Sequence, residues 1–187
     1  MEKKDRPYTV VPYDPNWVLI YEKEKEIISN VFGEIALRIE HIGSTSVEGI
    51  WAKPQVDILV IVEDLSQVDD LIKPMLAQGY NYHENFLEFD EHYFTGDEPS
   101  GERTVSIHIR SKDNPESISS IYFRDYLRSH PEERDLYSEA KRRSYDEGKT
   151  DRVEYSRSKK EVLEQLKERA KKWYETANLS KQIDSIK

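Results

Sequence analysis

The apolar residues of this chain recur first at helical spacing, then alternate, then return to helical spacing. After an extended entry with Val10, Val11 and Tyr13, the Asp14-Pro15 pair marks a helix start, because Asp can cap a helix and proline suits its first turn. Trp17, Ile20, Tyr21, Ile27, Ile28 and Val31 then follow a helical period as far as Gly33. From Ile35 to Ile42 the pattern alternates, with Ile35, Leu37 and Ile39 on one face and Arg38, Glu40 and His41 between them, which predicts a strand. Gly43-Ser44-Thr45-Ser46 breaks that strand, and Val47–Trp51 reads as one helical turn. Val56 to Val62 is the most β-branched run in the chain, and a continuous apolar run of this length predicts a central, buried strand. Ser66 is the expected cap of a helix reaching about Gln78, with Gly79 ending it.

Tyr80–His83, Leu87–Phe94 and Arg103–Arg110 are the remaining expected strands, and Thr95–Gly101 reads as a loop by its turn residues. Beyond Pro115 the pattern is helical, over Ile118–Arg128, Pro131–Glu147 and about Arg152–Thr176. No internal repeat or low-complexity tract interrupts it. The order helix, strands, helix, strands, then helices predicts an α+β (α/β) domain with a helical C-terminal third. One domain over residues 9–174 is expected, with flexible termini at 1–8 and 175–187.

Composition narrows the function. The 187 residues include no cysteine, which excludes a disulfide framework, a thiolate metal site and a cysteine nucleophile. No apolar run approaches a membrane span and the start lacks the apolar segment of a signal peptide, so a cytoplasmic protein without membrane association is expected. The net charge of −9 argues against broad binding of nucleic acid, which rewards clustered Lys and Arg. The charge is uneven: residues 1–140 carry 28 acids against 14 bases, whereas 141–172 carry 12 bases against 7 acids. Glu84 to Glu102 alone holds seven acids and no Lys or Arg. This balance limits nucleic acid as a partner and leaves small phosphates open.

The strongest candidate chemistry is Gly43-Ser44-Thr45-Ser46 directly after a strand, with Asp57 inside the next one. A small-residue turn exposes backbone N–H groups and adds hydroxyls, which suits an anion such as phosphate. Asp57 interrupts an otherwise apolar run, where a carboxylate needs a partner or a task, such as holding a divalent ion against phosphate. An ordinary tight turn and a carboxylate paired with a core arginine are the plainer alternatives. Lys53 stands at the mouth of the same strand and suits either a phosphate or Asp57 itself. His41 faces away from Arg38 and Glu40, as expected of a histidine packed in the core. Ser106, His108 and Arg110 share a strand face that either lines a pocket or meets solvent. Arg124 and Arg128, one helical turn apart, either clamp an anion or form a solvated stripe. Walker A, G-x-G-x-x-G and G-x-S-x-G patterns are absent, which removes the main support for P-loop, dinucleotide-binding and α/β-hydrolase readings.

The segments Val10–Trp17, Ile39-Glu40-His41-Ile42-Gly43-Ser44-Thr45-Ser46-Val47, Ala52-Lys53-Pro54-Gln55-Val56-Asp57-Ile58 and Phe123–Pro131, with Tyr155…Lys159 before the final helix, resemble the GrpB-like family. The resemblance runs from about residue 9 to about 174. It implies a nucleotidyltransferase-like mixed sheet, and the family also occurs as an extra domain on some bacterial dephospho-CoA kinases. In nucleotidyltransferases such a turn holds the triphosphate and neighbouring carboxylates hold two Mg²⁺; Gly43 and Ser44 match the turn and Asp57 a metal carboxylate. The chain departs from that pattern, because the positions two away from Asp57 are Gln55 and Leu59 and the later strand offers His108. The resemblance therefore leads to a ligand site for a nucleotide or small phosphorylated metabolite. Gly43, Ser44, Thr45, Ser46, Lys53, His41 and Arg110 are its expected contacts, and Asp57 with Mg²⁺ and His108 are its catalytic candidates for nucleotidyl transfer to a small molecule. The alternative is a catalytically inactive ligand-binding or protein-interaction module, the latter using the basic stretch Lys141–Lys172.

Overall fold

The computed structural model describes residues 9–84, 86, 90–99, 101–146 and 160–184. Its elements are α1 (Asn16–Phe32), β1 (Ala36–Ile42), β2 (Val56–Val62), α2 (Ile72–Ala77), β3 (Asn81–Tyr82), β4 (His92–Asp97), β5 (Arg103–Ser111), α3 (Pro115–Ser129), α4 (Pro131–Asp146) and α5 (Lys160–Asp184). They fall into two compact units, one of Asp14–Ser46 with Pro54–Ile121, the other of Val47–Lys53 and the chain from Tyr122 onward, joined by residues 9–13. The expected strand start at Leu87, the helix start at about Arg152 and the terminus 1–8 lie outside the described residues.

The first unit is built on a five-stranded mixed sheet in the order β1-β2-β5-β4-β3. β2 and β5 are parallel, and the pairs β1–β2, β5–β4 and β4–β3 are antiparallel. β2 is central and buried at six of its seven positions, as its apolar run requires; Asp57 is the exception. Ile58, Val60 and Val62 share a face with Ile107, Ile109 and Phe94, and all six are fully buried. Each such side chain contributes roughly 1.5–3 kcal/mol by leaving water. The helix α1 packs on β1 and β2 and buries Trp17, Tyr21, Ile28 and Phe32 at helical spacing. Asp14 does serve its start, its carboxylate accepting from the Asn16 amide at 2.9 Å. On the other sheet face Ile42, Leu59, Ile61 and Ile121 form a smaller apolar cluster.

Several boundaries correct the sequence reading. Thr95-Gly96-Asp97 is strand, not loop: Thr95 pairs with Ser106 and Gly96 with Val105. A Cβ at Gly96 would lie 3.4 Å from that of Val105, so this glycine serves a close approach rather than a turn. Beyond the strand the Glu98 amide donates to the Glu102 carbonyl at 2.8 Å. The cap after β2 is Asp64, not Ser66; its carboxylate accepts from the Ser66 amide at 2.9 Å in a capping box with Gln67. The following segment is 3₁₀ over Leu65–Leu71 before α2, and Val68 and Met75 are the positions it and α2 bury completely. The turn after β1 is 3₁₀ at Ser44–Ser46, where the helical turn was expected at Val47–Trp51; the Ser46 amide reaches back to the Gly43 carbonyl. Ile35 belongs to the 3₁₀ turn Gly33–Ile35, and a bulge at Ala36/Arg38 leaves Leu37 exposed.

The second unit is helical. Val47, Ile50, Tyr126, Leu127, Tyr137, Leu166 and Ala170 form its buried core, with Tyr122, Phe123, Val162, Leu163 and Trp173 packed against it. Along α5 the positions 162, 163, 166, 170 and 173 fall on one helical face, which explains why this polar helix holds its place. Arg169 adds a two-pronged bond to Glu133 at 2.7 and 2.8 Å. α5 continues past Thr176 to Asp184. A mixed sheet followed by a helical C-terminal region is the architecture the sequence predicts.

Candidate functional site

Strand register decides which side chains meet. Asp57 lies opposite Ser106, and Leu59 opposite His108. Tyr93 of β4 lies opposite His108, and Thr95 opposite Ser106. Partners in register share a sheet face, so Asp57, Ser106, His108, Arg110, Tyr93 and Thr95 all project opposite the aliphatic face of Ile58, Ile107 and Ile109. The alternation in β5 thus yields a polar face within the first unit.

At the end of β1, Gly43 has φ +70°, and a Cβ there would lie 2.4 Å from Oδ2 of Asp57. The carboxylate occupies the space a side chain would need, which is the reason for glycine. The rest of the turn holds itself together. Ser46 Oγ donates to the Gly43 carbonyl at 2.6 Å, and the Thr45 hydroxyl lies 3.0 Å from His41 Nε2. His41 is opposite Ile58 in register and so faces away from Asp57; it is buried and stacks on Tyr21 at 4.9 Å. Tyr21 in turn donates to the Ile39 carbonyl at 2.9 Å. His41 and Thr45 are therefore structural supports of the turn. Ser44 is half-buried. Lys53 belongs to the helical unit, as do Arg124, bonded to Asp125 at 2.8 Å, and the exposed Arg128.

Two hydrogen-bonded groups occupy the polar face. In the first, Gln55 Nε2 donates to Asp57 Oδ1 at 3.2 Å and to Ser106 Oγ at 2.5 Å. Ser106 Oγ is 2.7 Å from Tyr93 Oη, which accepts from Arg103 Nη1 at 2.9 Å. In the second, Glu91 is 4% exposed, with Oε1 3.2 Å from His108 Nδ1 and Oε2 accepting from Arg110 Nε at 2.6 Å. The rings of Tyr93 and His108 lie 4.9 Å apart and join the two groups. Burial pushes the Glu91 carboxyl up, but the His108 bond and the charges of His108 and Arg110 outweigh it and hold the carboxyl below its ordinary range. Burial raises the Tyr93 phenol, and its Ser106 and Arg103 bonds offset only part of that. A carboxylate beside Nδ1 favours a proton on that nitrogen rather than on Nε2.

The structure thus brings Asp57, His108 and Arg110 onto one face with the Gly43 turn beside Asp57. Gln55, Glu91, Tyr93 and Arg103 were missed. Alternation back from Asp57 could have found Gln55; Glu91 and Arg103 needed the antiparallel register of β4 on β5. Among the described residues, no group of three or more His, Asp or Glu side chains is placed to hold a metal ion. Asp57 accepts from the Gln55 carboxamide, whose amino group also donates to Ser106.

Comparison with known proteins sets this site in a family. No helix among the described residues is long and apolar enough to cross a membrane. A UPF0157 protein of Halalkalibacterium halodurans is 31% identical over 163 residues, covering 87% of this chain and 82% of that protein. A dephospho-CoA kinase of Mycolicibacterium paratuberculosis is 29% identical over 161 residues, but the match covers only 39% of that protein. The crystal structure of the conserved protein GrpB from Enterococcus faecalis superposes with a TM-score of 0.81 at 33% identity, covering 89% of this chain and 99% of that one. The profile described as GrpB protein matches residues 7–169, and the chain belongs to the GrpB family.

Proposed function

We propose that this chain binds a nucleotide or small phosphorylated metabolite on the polar sheet face of β2, β4 and β5. The observation that supports it most is the gathering of Arg103, His108, Arg110 and Tyr93 on one face of a sheet whose other face carries the fully buried Ile58, Val60, Phe94, Ile107 and Ile109. Buried polar groups are costly, and aliphatic residues would fill the same positions more stably. These side chains keep partial access, with His108 21%, Arg103 15% and Arg110 12% exposed. Calorimetric titration with AMP, ADP, ATP and inorganic phosphate, with and without Mg²⁺, tests the reading. Saturable binding of at least one is expected, and its absence across the panel defeats it.

Nucleotidyl transfer to a small molecule is the second reading, favoured by the Glu91–His108 pair. Glu91 orients the imidazole, and Nε2 takes the proton of an attacking hydroxyl. With one carboxylate at Asp57, no step is assigned to Mg²⁺. Pyrophosphate release from ATP in the presence of hydroxyl acceptors, abolished in His108→Gln, is the expected result; release unchanged in that variant refutes the role.

A further inference from the structure

Counting protons in the Gln55–Ser106–Tyr93–Arg103 group leaves two donors without acceptors. The carboxylate of Asp57 requires the amino end of the Gln55 carboxamide to face it, and the two protons of that Nε2 serve Asp57 and Ser106. Between Ser106 and Tyr93 there are two hydroxyl protons and a single contact. If Ser106 donates, the Tyr93 oxygen accepts from both Ser106 and Arg103, and the phenol proton is left over. If Tyr93 donates, the Ser106 oxygen accepts twice and its own proton is left over. Either way one hydroxyl proton has no acceptor among the described residues, at positions where Ser106 is 0% and Tyr93 5% exposed. Independently, Arg103 Nε is buried and makes no hydrogen bond. Its nearest carboxylate, Asp97 Oδ1, is 3.7 Å away, beyond hydrogen-bond length. Native structures rarely leave such donors unmet, and the side chains that carry the spare donors are joined in one chain of bonds, Arg103 to Tyr93 and Tyr93 to Ser106.

We infer that Arg103 with the Tyr93–Ser106 hydroxyl pair forms an oxyanion subsite, which takes a phosphomonoester or carboxylate group of a small ligand. Its oxygens accept from Arg103 Nε and from the spare hydroxyl proton, the first of these a charge-assisted hydrogen bond. The inference rests on the ligand reading above and moves the anion away from the Gly43 turn. There the carboxylate of Asp57 lies against the glycine, and the Thr45 and Ser46 hydroxyls are engaged within the turn.

Calorimetry of the full chain with AMP, inorganic phosphate and malonate tests it, in the wild type, Arg103→Met, Tyr93→Phe and Ser46→Ala. Circular dichroism melts establish that each variant folds. Binding of at least one probe is expected, weakened tenfold or more in Arg103→Met and several-fold in Tyr93→Phe, with Ser46→Ala within twofold of wild type. If Arg103→Met does not fold, Tyr93→Phe carries the test by itself. Binding of AMP or phosphate that survives Arg103→Met and Tyr93→Phe unchanged overturns the subsite and leaves the phosphorylated-ligand reading standing. Arginine-dependent binding of malonate alone upholds the subsite and defeats that reading. No binding of any probe overturns both, with water as the acceptor.

Discussion

Gly43→Ala tests the packing at the centre of the site. The substitution adds one methyl at φ +70°, in the left-handed region, which costs about 1–2 kcal/mol for an L-residue. The new Cβ also falls 2.4 Å from Asp57 Oδ2 and 3.1 Å from its Cβ and Cγ, so the carboxylate must move and stretch its bond from Gln55. Overpacking of this kind costs about 1–3 kcal/mol. The expected total is roughly 2–5 kcal/mol from those two terms. Gly79→Ala is the internal control, since Gly79 has φ +92° and nothing within 4 Å of its Cβ position; it carries only the backbone term. Urea unfolding of both variants separates the contributions, and the cycle with Asp57→Ala isolates the carboxylate. Asp57→Ala should cost about 1–2 kcal/mol less in the Gly43→Ala background than in the wild type. Equal losses for Gly43→Ala and Gly79→Ala, with no coupling to Asp57, would show that the carboxylate does not lie against this glycine.

Glu91→Gln removes the charge shared by His108 and Arg110 and should cost about 3–5 kcal/mol at pH 7. Because the folded carboxyl is held below its ordinary value of 4.5, its contribution is present above that pH and fades as pH falls through the folded value. Urea midpoints measured between pH 7 and 3 should therefore converge for variant and wild type at the acid end; parallel curves refute this. Burial lowers His92 from its ordinary 6.5, so the unfolded chain binds its proton first and stability falls as pH drops below that value. His92→Gln should flatten the slope just below pH 6.5, and an unchanged slope counts against it. In the helical unit Leu166 is fully buried, and Leu166→Ala should cost about 2–5 kcal/mol by thermal melt. A loss below about 1 kcal/mol would mean that α5 does not supply that core.

The parts of this fold legible in sequence are those where one period dominates. β2 is an unbroken apolar run with a single carboxylate, and β5 alternates strictly, so both strands and the polar face of Ser106, His108 and Arg110 could be read directly. The turn at Gly43 was legible as a break, but not its cause, since the carboxylate that excludes a side chain comes from a different strand. Glycine at 96 looked like turn chemistry, yet serves a close approach to Val105 that only register discloses. Glu91 resembled one acid in an acidic stretch. Its pairing with His108 spans 17 residues and exists only because the antiparallel β4 brings it back over β5. Asp64 outranked Ser66 as a cap because the carboxylate reaches the amide two residues on, a difference of two positions that propensity does not resolve.

The most direct test of the central claim, that the polar face of β2, β4 and β5 holds a phosphorylated small molecule, is a titration of the ¹⁵N-labelled chain with AMP followed by amide resonances. Progressive, saturating shifts concentrated at Gln55–Leu59, Tyr93 and Arg103–Arg110 are predicted. Saturating shifts confined to α5, or none at all, would contradict it.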